Sequence, residues 1–126
     1  LIMSGFKKFD GGKLRWDLVP EDALEEVVKI LHAGADRYGD WNWLDNADEV
    51  KYTRYINALE RHFKDFKRGE DFDKDSGRYQ LAHIICNALF MLQYQIMGRG
   101  IDDRKKTKLE IEQQLNQIAL AKFKDE

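Results

Sequence analysis

Histidine, asparagine, glutamine and tyrosine can move protons or hold hydrogen bonds, and four of them line up in this 126-residue chain as Gln80, His83, Asn87 and Tyr94. Their intervals of three, four and seven put them on one face of a helix. Such a line is either a site or a buried hydrogen-bond network, because buried polar side chains commonly just satisfy one another. A second group is the acidic stretch Gly69-Glu70-Asp71-Phe72-Asp73-Lys74-Asp75-Ser76-Gly77. Crowded carboxylates repel unless they meet a cation, a helix N-terminus or arginine. A cap at Asp75 or Ser76 accounts for one or two of them and leaves Glu70 and Asp73 as candidate oxygen ligands for a hard ion such as magnesium; a plain solvated loop is the competing explanation. The third group is aromatic, Asp40-Trp41-Asn42-Trp43-Leu44. Either the two indoles plug the space between helix ends, or an indole or Tyr38 stacks on a planar base while Asn42 bonds its edge.

The elements that carry these groups read as helices. Residues 77–97 are apolar around nearly the whole circumference, which predicts a central helix buried on most sides or at a subunit interface. Pro20, followed by Glu21 and Asp22, opens a first helix that ends near Tyr38-Gly39. On it Leu24, Val27, Val28, Leu31 and Ala35 share a face, edged by Glu21, Glu25 and His32, with Glu26 turned more nearly away. A second helix is predicted from about Ala47 to Lys67, its stripe of Tyr52, Tyr55, Ile56, Leu59, Phe63 and Phe66 belonging to the core. Beside that stripe stand Glu60, Arg61 and His62. Residues 3–19 have no periodicity and read as an arm or loop, and residues 106–124 as an amphipathic helix that packs on the bundle or on a second subunit. The expected fold is therefore all-α, a bundle of about four helices in one domain.

Twenty-one Lys and Arg nearly balance 23 Asp and Glu, a formal net charge of −2, so no global field directs the chain to nucleic acid or an anionic membrane. No apolar run reaches the roughly 20 residues of a membrane span. The one cysteine, Cys86, cannot form an intrachain disulfide and lies among apolar residues, which suits a small core residue in a reducing cytoplasm.

Taken in order, the short motifs resemble a known family. They are Lys8-x-Asp10-x-Gly12-Lys13, Leu18-Val19-Pro20, Gly34-Ala35-x-x-Tyr38-Gly39-x-x-Asn42-Trp43, Ala58-Leu59-x-Arg61-His62, Gly69-Glu70-x-x-Asp73-x-x-Ser76-Gly77 and Leu81-Ala82-His83-x-x-x-Asn87-Ala88-Leu89-Phe90. Across roughly residues 7–97 this order is similar to the phage and bacterial dATP/dGTP diphosphohydrolases, relatives of the MazG-like all-α nucleoside triphosphate pyrophosphohydrolases. The phage members called MazZ are similar in the same motifs.

The resemblance implies hydrolysis of a deoxypurine nucleoside triphosphate, dGTP or dATP, to the monophosphate and pyrophosphate. In phages that replace adenine by 2-aminoadenine, the implied role is supply of dGMP. It implies Mg2+, with Mn2+ or Co2+ as alternatives, to neutralise the triphosphate and activate water. The implied assignments are Glu25, Glu70 and Asp73 to metal, Lys13 and Arg61 to phosphate, and His62 or His83 to proton transfer or ligand orientation. Tyr38, Trp41, Asn42 and Trp43 would hold the purine, and Asn87 would orient His83 or touch substrate. MazG-like enzymes usually carry Glu-x-x-Glu on one helix and Glu-x-x-Asp on another, yet residues 77–97 contain no carboxylate. Glu60 is then the reserve ligand, and Glu26 competes with Glu25. A homo-oligomer, dimer or tetramer, is expected to complete the bundle. The alternative is a non-catalytic nucleotide-binding or helical interaction module; a different metallophosphohydrolase using His62, Asp73 and His83, of the kind with adjacent His-Asp ligands, is disfavoured because no His-Asp dipeptide occurs.

Overall fold

A computed structural model describes residues 5–106 and 108–125. Residues 3 and 4 of the arm and Thr107 of the C-terminal segment lie outside the described residues. The helices are α1 (Glu21–Tyr38), a short α2 (Asn42–Asp45), α3 (Tyr52–Lys67), α4 (Gln80–Met97) and α5 (Lys108–Asp125), so the expected all-α class holds. Among the described residues no strand forms, and extended pairing is limited to two isolated bridges, Lys51 with Ile101 and Phe72 with Tyr79.

Helix α1 begins directly after Pro20 and ends where Gly39 takes φ 99°, as the proline and glycine predict. The second predicted helix is broken in two. After α2 comes a single 3-10 turn, Ala47–Glu49, and then Val50 and Lys51 are extended. Long-range bonds cause the break: Ile101 N–H donates to Val50 O, and Tyr52 N–H donates to Ile101 O. Helical periodicity cannot register a partner 50 residues away. Helix α4 also starts three residues later than expected, at Gln80, because Gly77 has φ 70° and Gln80 N–H bonds Asp71 O instead of a side-chain cap.

Helix α4 is central, packed along α3 and α1 and touched by α2. Contacts between Tyr52 and Tyr94, Tyr55 and Phe90, and His62 and His83 show that α3 and α4 run antiparallel. Two cores result. Val27, Ala82 and Cys86 join α1 to α4, with Ile30, Leu31 and Phe90 against them. Ala47, Tyr52 and Tyr94 form the other, with Trp43, Leu44, Val50, Tyr55 and Ile56 packed around it. Burial pushes the Cys86 thiol up to about 11, so it stays a protonated core residue. Within one chain α4 is not covered on most sides, since Leu81, Ile85, Leu89, Leu92 and Ile96 are exposed along one face, so of the two expectations the subunit interface is the one left open. Among the described α5 residues none is buried, so that segment is a helix as expected but does not pack into the core of its own chain, leaving packing on a second subunit as the other expectation.

Candidate functional site

Two groups of chemically useful side chains emerge, one between α3 and α4 and one in a cleft bounded by α1, α2 and the start of α3. The first is a histidine pair. His62 on α3 and His83 on α4 stack face to face, their ring centroids 4.3 Å apart and their planes 4° from parallel. Asp73, from the loop between the helices, lies beside both: Oδ1 is 3.8 Å from His62 Nδ1 and Oδ2 is 3.9 Å from His83 Nε2. The loop aims the carboxylate inward because Ser76 N–H donates to Asp73 Oδ2 at 2.9 Å and Asp73 N–H donates to Arg78 O.

Hydrogen bonding sets the proton positions. Gln80 is fully buried and its Nε2 donates to Phe72 O, so its Oε1 is an acceptor and His62 Nδ1 donates to it at 2.8 Å. With Nδ1 committed to Gln80, Nε2 is the remaining nitrogen of the His62 ring. His83 Nε2 shares a 2.7 Å bond with Ser76 Oγ, and Asn87 Nδ2 donates to the His83 carbonyl within the helix. Burial and the neighbouring His62 ring lower the His83 pKa, against the opposing pull of Asp73. Burial tends to raise the Asp73 carboxyl, but the Ser76 amide and the two histidines outweigh it and hold it below the ordinary value. The cluster thus sets the Asp73 carboxylate beside two stacked imidazoles, one of which, His83, is disfavoured in its protonated form.

The second group is an aromatic cleft of about 690 Å³ between α1, α2 and the start of α3. Its lining includes Tyr38, Trp41, Asn42 and Trp43, the four residues expected to hold a purine, together with Tyr55, Phe90, Asn46, Glu49 and Arg54. Trp43 packs on Phe90 at 4.5 Å, whereas Trp41 is exposed, with its backbone in the left-handed region at φ 60°. That conformation costs a bulky residue on the order of 1–2 kcal/mol and holds the indole at the cleft mouth. Two bonds anchor the wall: Tyr94 Oη on α4 donates to Trp43 O, and Arg99 Nη1, just past the end of α4, donates to Leu44 O at 2.8 Å.

The expected polar line thus splits. Gln80, His83 and Asn87 serve the histidine cluster, while Tyr94 serves the cleft wall. Glu25, Glu70 and Asp73 are not brought to one point: among the described residues no three His, Cys, Asp or Glu side chains group as a metal site. Glu25 is exposed on α1, Glu70 faces Lys74 at 3.7 Å, and Asp73 is turned to the histidines, whose nearest nitrogens already bond Gln80 and Ser76. The donor set of one chain accordingly does not fit a preassembled divalent-ion cage. The exposed Lys13 and Arg61 side chains are drawn to neither group. Periodicity hid Tyr55, which reads as core, and gave no sign of Arg54. Asn42, Asn46 and Glu49, spaced four and three apart, carried a signal in their helical spacing.

The fold and its site are thus those of an all-α chain with an aromatic cleft and a partly buried histidine–aspartate cluster. The dATP/dGTP diphosphohydrolase N-terminal family model matches residues 4–104, and the chain belongs to that family. It is 30% identical over 103 residues to a Salmonella phage PMBT28 protein named dATP/dGTP diphosphohydrolase, covering 82% of this chain and 34% of that relative. The chain therefore spans about a third of the length of the curated relative it matches. No solved structure matches. No helix among the described residues is long and apolar enough to cross a membrane.

Proposed function

We propose that this chain binds a deoxypurine nucleoside triphosphate and hydrolyses it to the monophosphate and pyrophosphate in the cytoplasm. The observation that carries this is the cleft lined by Tyr38, Trp41, Asn42 and Trp43, in a chain of the dATP/dGTP diphosphohydrolase family. Aromatic walls stack on a purine, and edge-on polar groups orient it. Tyr55 and Phe90 line the cleft, and seven residues further along the same two helices come His62 and His83. Seven helical residues span about 10 Å, within reach of the phosphates of a base seated in the cleft. There the His62–Asp73–His83 cluster would take the proton of the attacking water.

Magnesium enters this reading as the counter-ion of the triphosphate. The chain supplies no three-ligand cage, so no step is assigned to the ion. Arg61 and Lys13 would meet the phosphates on substrate binding. The homo-oligomer belongs to the same reading, because the apolar α4 face from Leu81 to Ile96 suits a second subunit. If the gene is a phage's, dGMP supply for 2-aminoadenine nucleotide synthesis is the role proposed.

The test is product analysis with each deoxynucleoside and ribonucleoside triphosphate, in magnesium and in chelator, resolving mono- from diphosphate. Deoxypurine monophosphate plus pyrophosphate, formed only with metal, is the expected result. Diphosphate plus phosphate would overturn the chemistry. Nucleotide binding without turnover would leave a binding module.

A further inference from the structure

The aromatic walls explain how a planar base is held but not which base, and that choice falls to the polar groups of the cleft. Asn46 Nδ2 donates to both Asn42 O and Asn42 Oδ1 at 2.9 Å. That bond commits the Asn42 carbonyl oxygen and leaves Asn42 Nδ2 as a donor. Arg54 also lines the cleft and, among the described residues, has no carboxylate partner. Glu49 also lines it and, among the described residues, has neither an ion pair nor a side-chain hydrogen bond. A carboxylate beside a nucleotide belongs at the base end, since it repels the phosphates. Its backbone is held firmly: Glu49 N–H donates to Asn46 O at 3.0 Å, the neighbouring Ala47 is fully buried, and Arg99 bonds Asp48 and Leu44 O.

We propose that Glu49 reads the Watson–Crick edge of guanine and makes the cleft select dGTP over dATP, an inference that rests on the purine-binding reading above. Guanine presents two adjacent donors, N1–H and the 2-amino group, which a carboxylate accepts in parallel, beside the O6 acceptor that suits Asn42 Nδ2. Adenine offers one donor on that edge, and its N1 lone pair would face a carboxylate oxygen. One lost bidentate pair corresponds to about tenfold or more in affinity.

The experiment is calorimetric titration of the intact chain, in magnesium, with the α,β-methylene analogues of dGTP, dATP and dITP, which resist cleavage between the α and β phosphorus. The wild type should bind the dGTP analogue about tenfold or more tighter than the dATP analogue, with dITP, which keeps N1–H but lacks the 2-amino group, in between. Glu49→Gln presents one acceptor and one donor, the complement of adenine, and should bring the ratio near one or invert it. A wild-type ratio near one, or an unchanged ratio in Glu49→Gln, overturns the role of Glu49 while leaving purine binding intact. Should neither analogue bind, the purine reading falls and this inference with it. Because the dITP comparison uses only wild-type protein, a variant that fails to fold does not remove the test.

Discussion

Tyr94 is fully buried, and its hydroxyl is the hinge between the core and the cleft. It donates to Trp43 O, so in the 3.0 Å contact with Tyr55 the Tyr55 hydroxyl is the donor. Removing the Tyr94 hydroxyl therefore breaks two bonds. Each is worth about 1 kcal/mol net, and the Tyr55 hydroxyl and Trp43 carbonyl are left short of a partner, so Tyr94→Phe should cost about 2–3 kcal/mol. For a chain of this size that is a melting shift of roughly 8–12 °C. Tyr55→Phe removes only the bond between the hydroxyls and should cost about 1 kcal/mol. In the double variant the two losses should not add, with a coupling of about 1 kcal/mol, because the second substitution removes a hydroxyl already orphaned. The assay is urea unfolding followed by far-ultraviolet circular dichroism at one fixed protein concentration, with the slope m unchanged. Nucleotide affinity should also weaken in Tyr94→Phe, since Trp43 loses its tether. A Tyr94→Phe protein within about 0.5 kcal/mol of wild type, or one less affected than Tyr55→Phe, would refute this account of the wall.

Gly100 has φ 82°, and a Cβ there would lie 2.8 Å from the Tyr52 and Tyr94 rings, so Gly100→Ala should destabilise by about 2–4 kcal/mol in the same unfolding assay. His83 has a lowered folded pKa, so below its ordinary 6.5 the unfolded chain takes up a proton that the native state resists. Stability should then fall as pH drops from 6.5 toward the folded value; thermal melts at several pH values should show a shallower fall for His83→Gln, and an equal fall would count against the assignment. Asp73 adds to the loss only in more acid solution, because its own lowered pKa keeps its contribution in place until pH falls below the ordinary carboxylate value. The exposed face of Leu81, Ile85, Leu89, Leu92 and Ile96 should make the wild type an oligomer by light scattering. The Ile85→Arg, Leu92→Arg double variant should be monomeric, and a wild-type monomer at micromolar concentration would refute the interface.

Local sequence determined the pieces of this protein. Pro20 and Gly39 set the ends of α1, apolar periodicity set α1, α3 and α4, and the order of short motifs pointed to the family that the residue 4–104 match then showed. These signals are legible because capping and helical spacing act within a few residues. That Tyr38, Trp41, Asn42 and Trp43 gather at one place was legible too, since they are one contiguous loop with one helix end, and they line one cleft. What depends on residues far apart was settled only by tertiary structure. The break at Val50 and Lys51 comes from Ile101, and the stacking of His62 on His83 comes from the antiparallel packing of α3 on α4. Asp73 was expected to join Glu25 and Glu70; the Ser76 amide and Arg78 carbonyl turn it to the histidines instead. Carboxylate spacing along a loop cannot reveal this, because a loop has no fixed period and its backbone bonds decide where each side chain points.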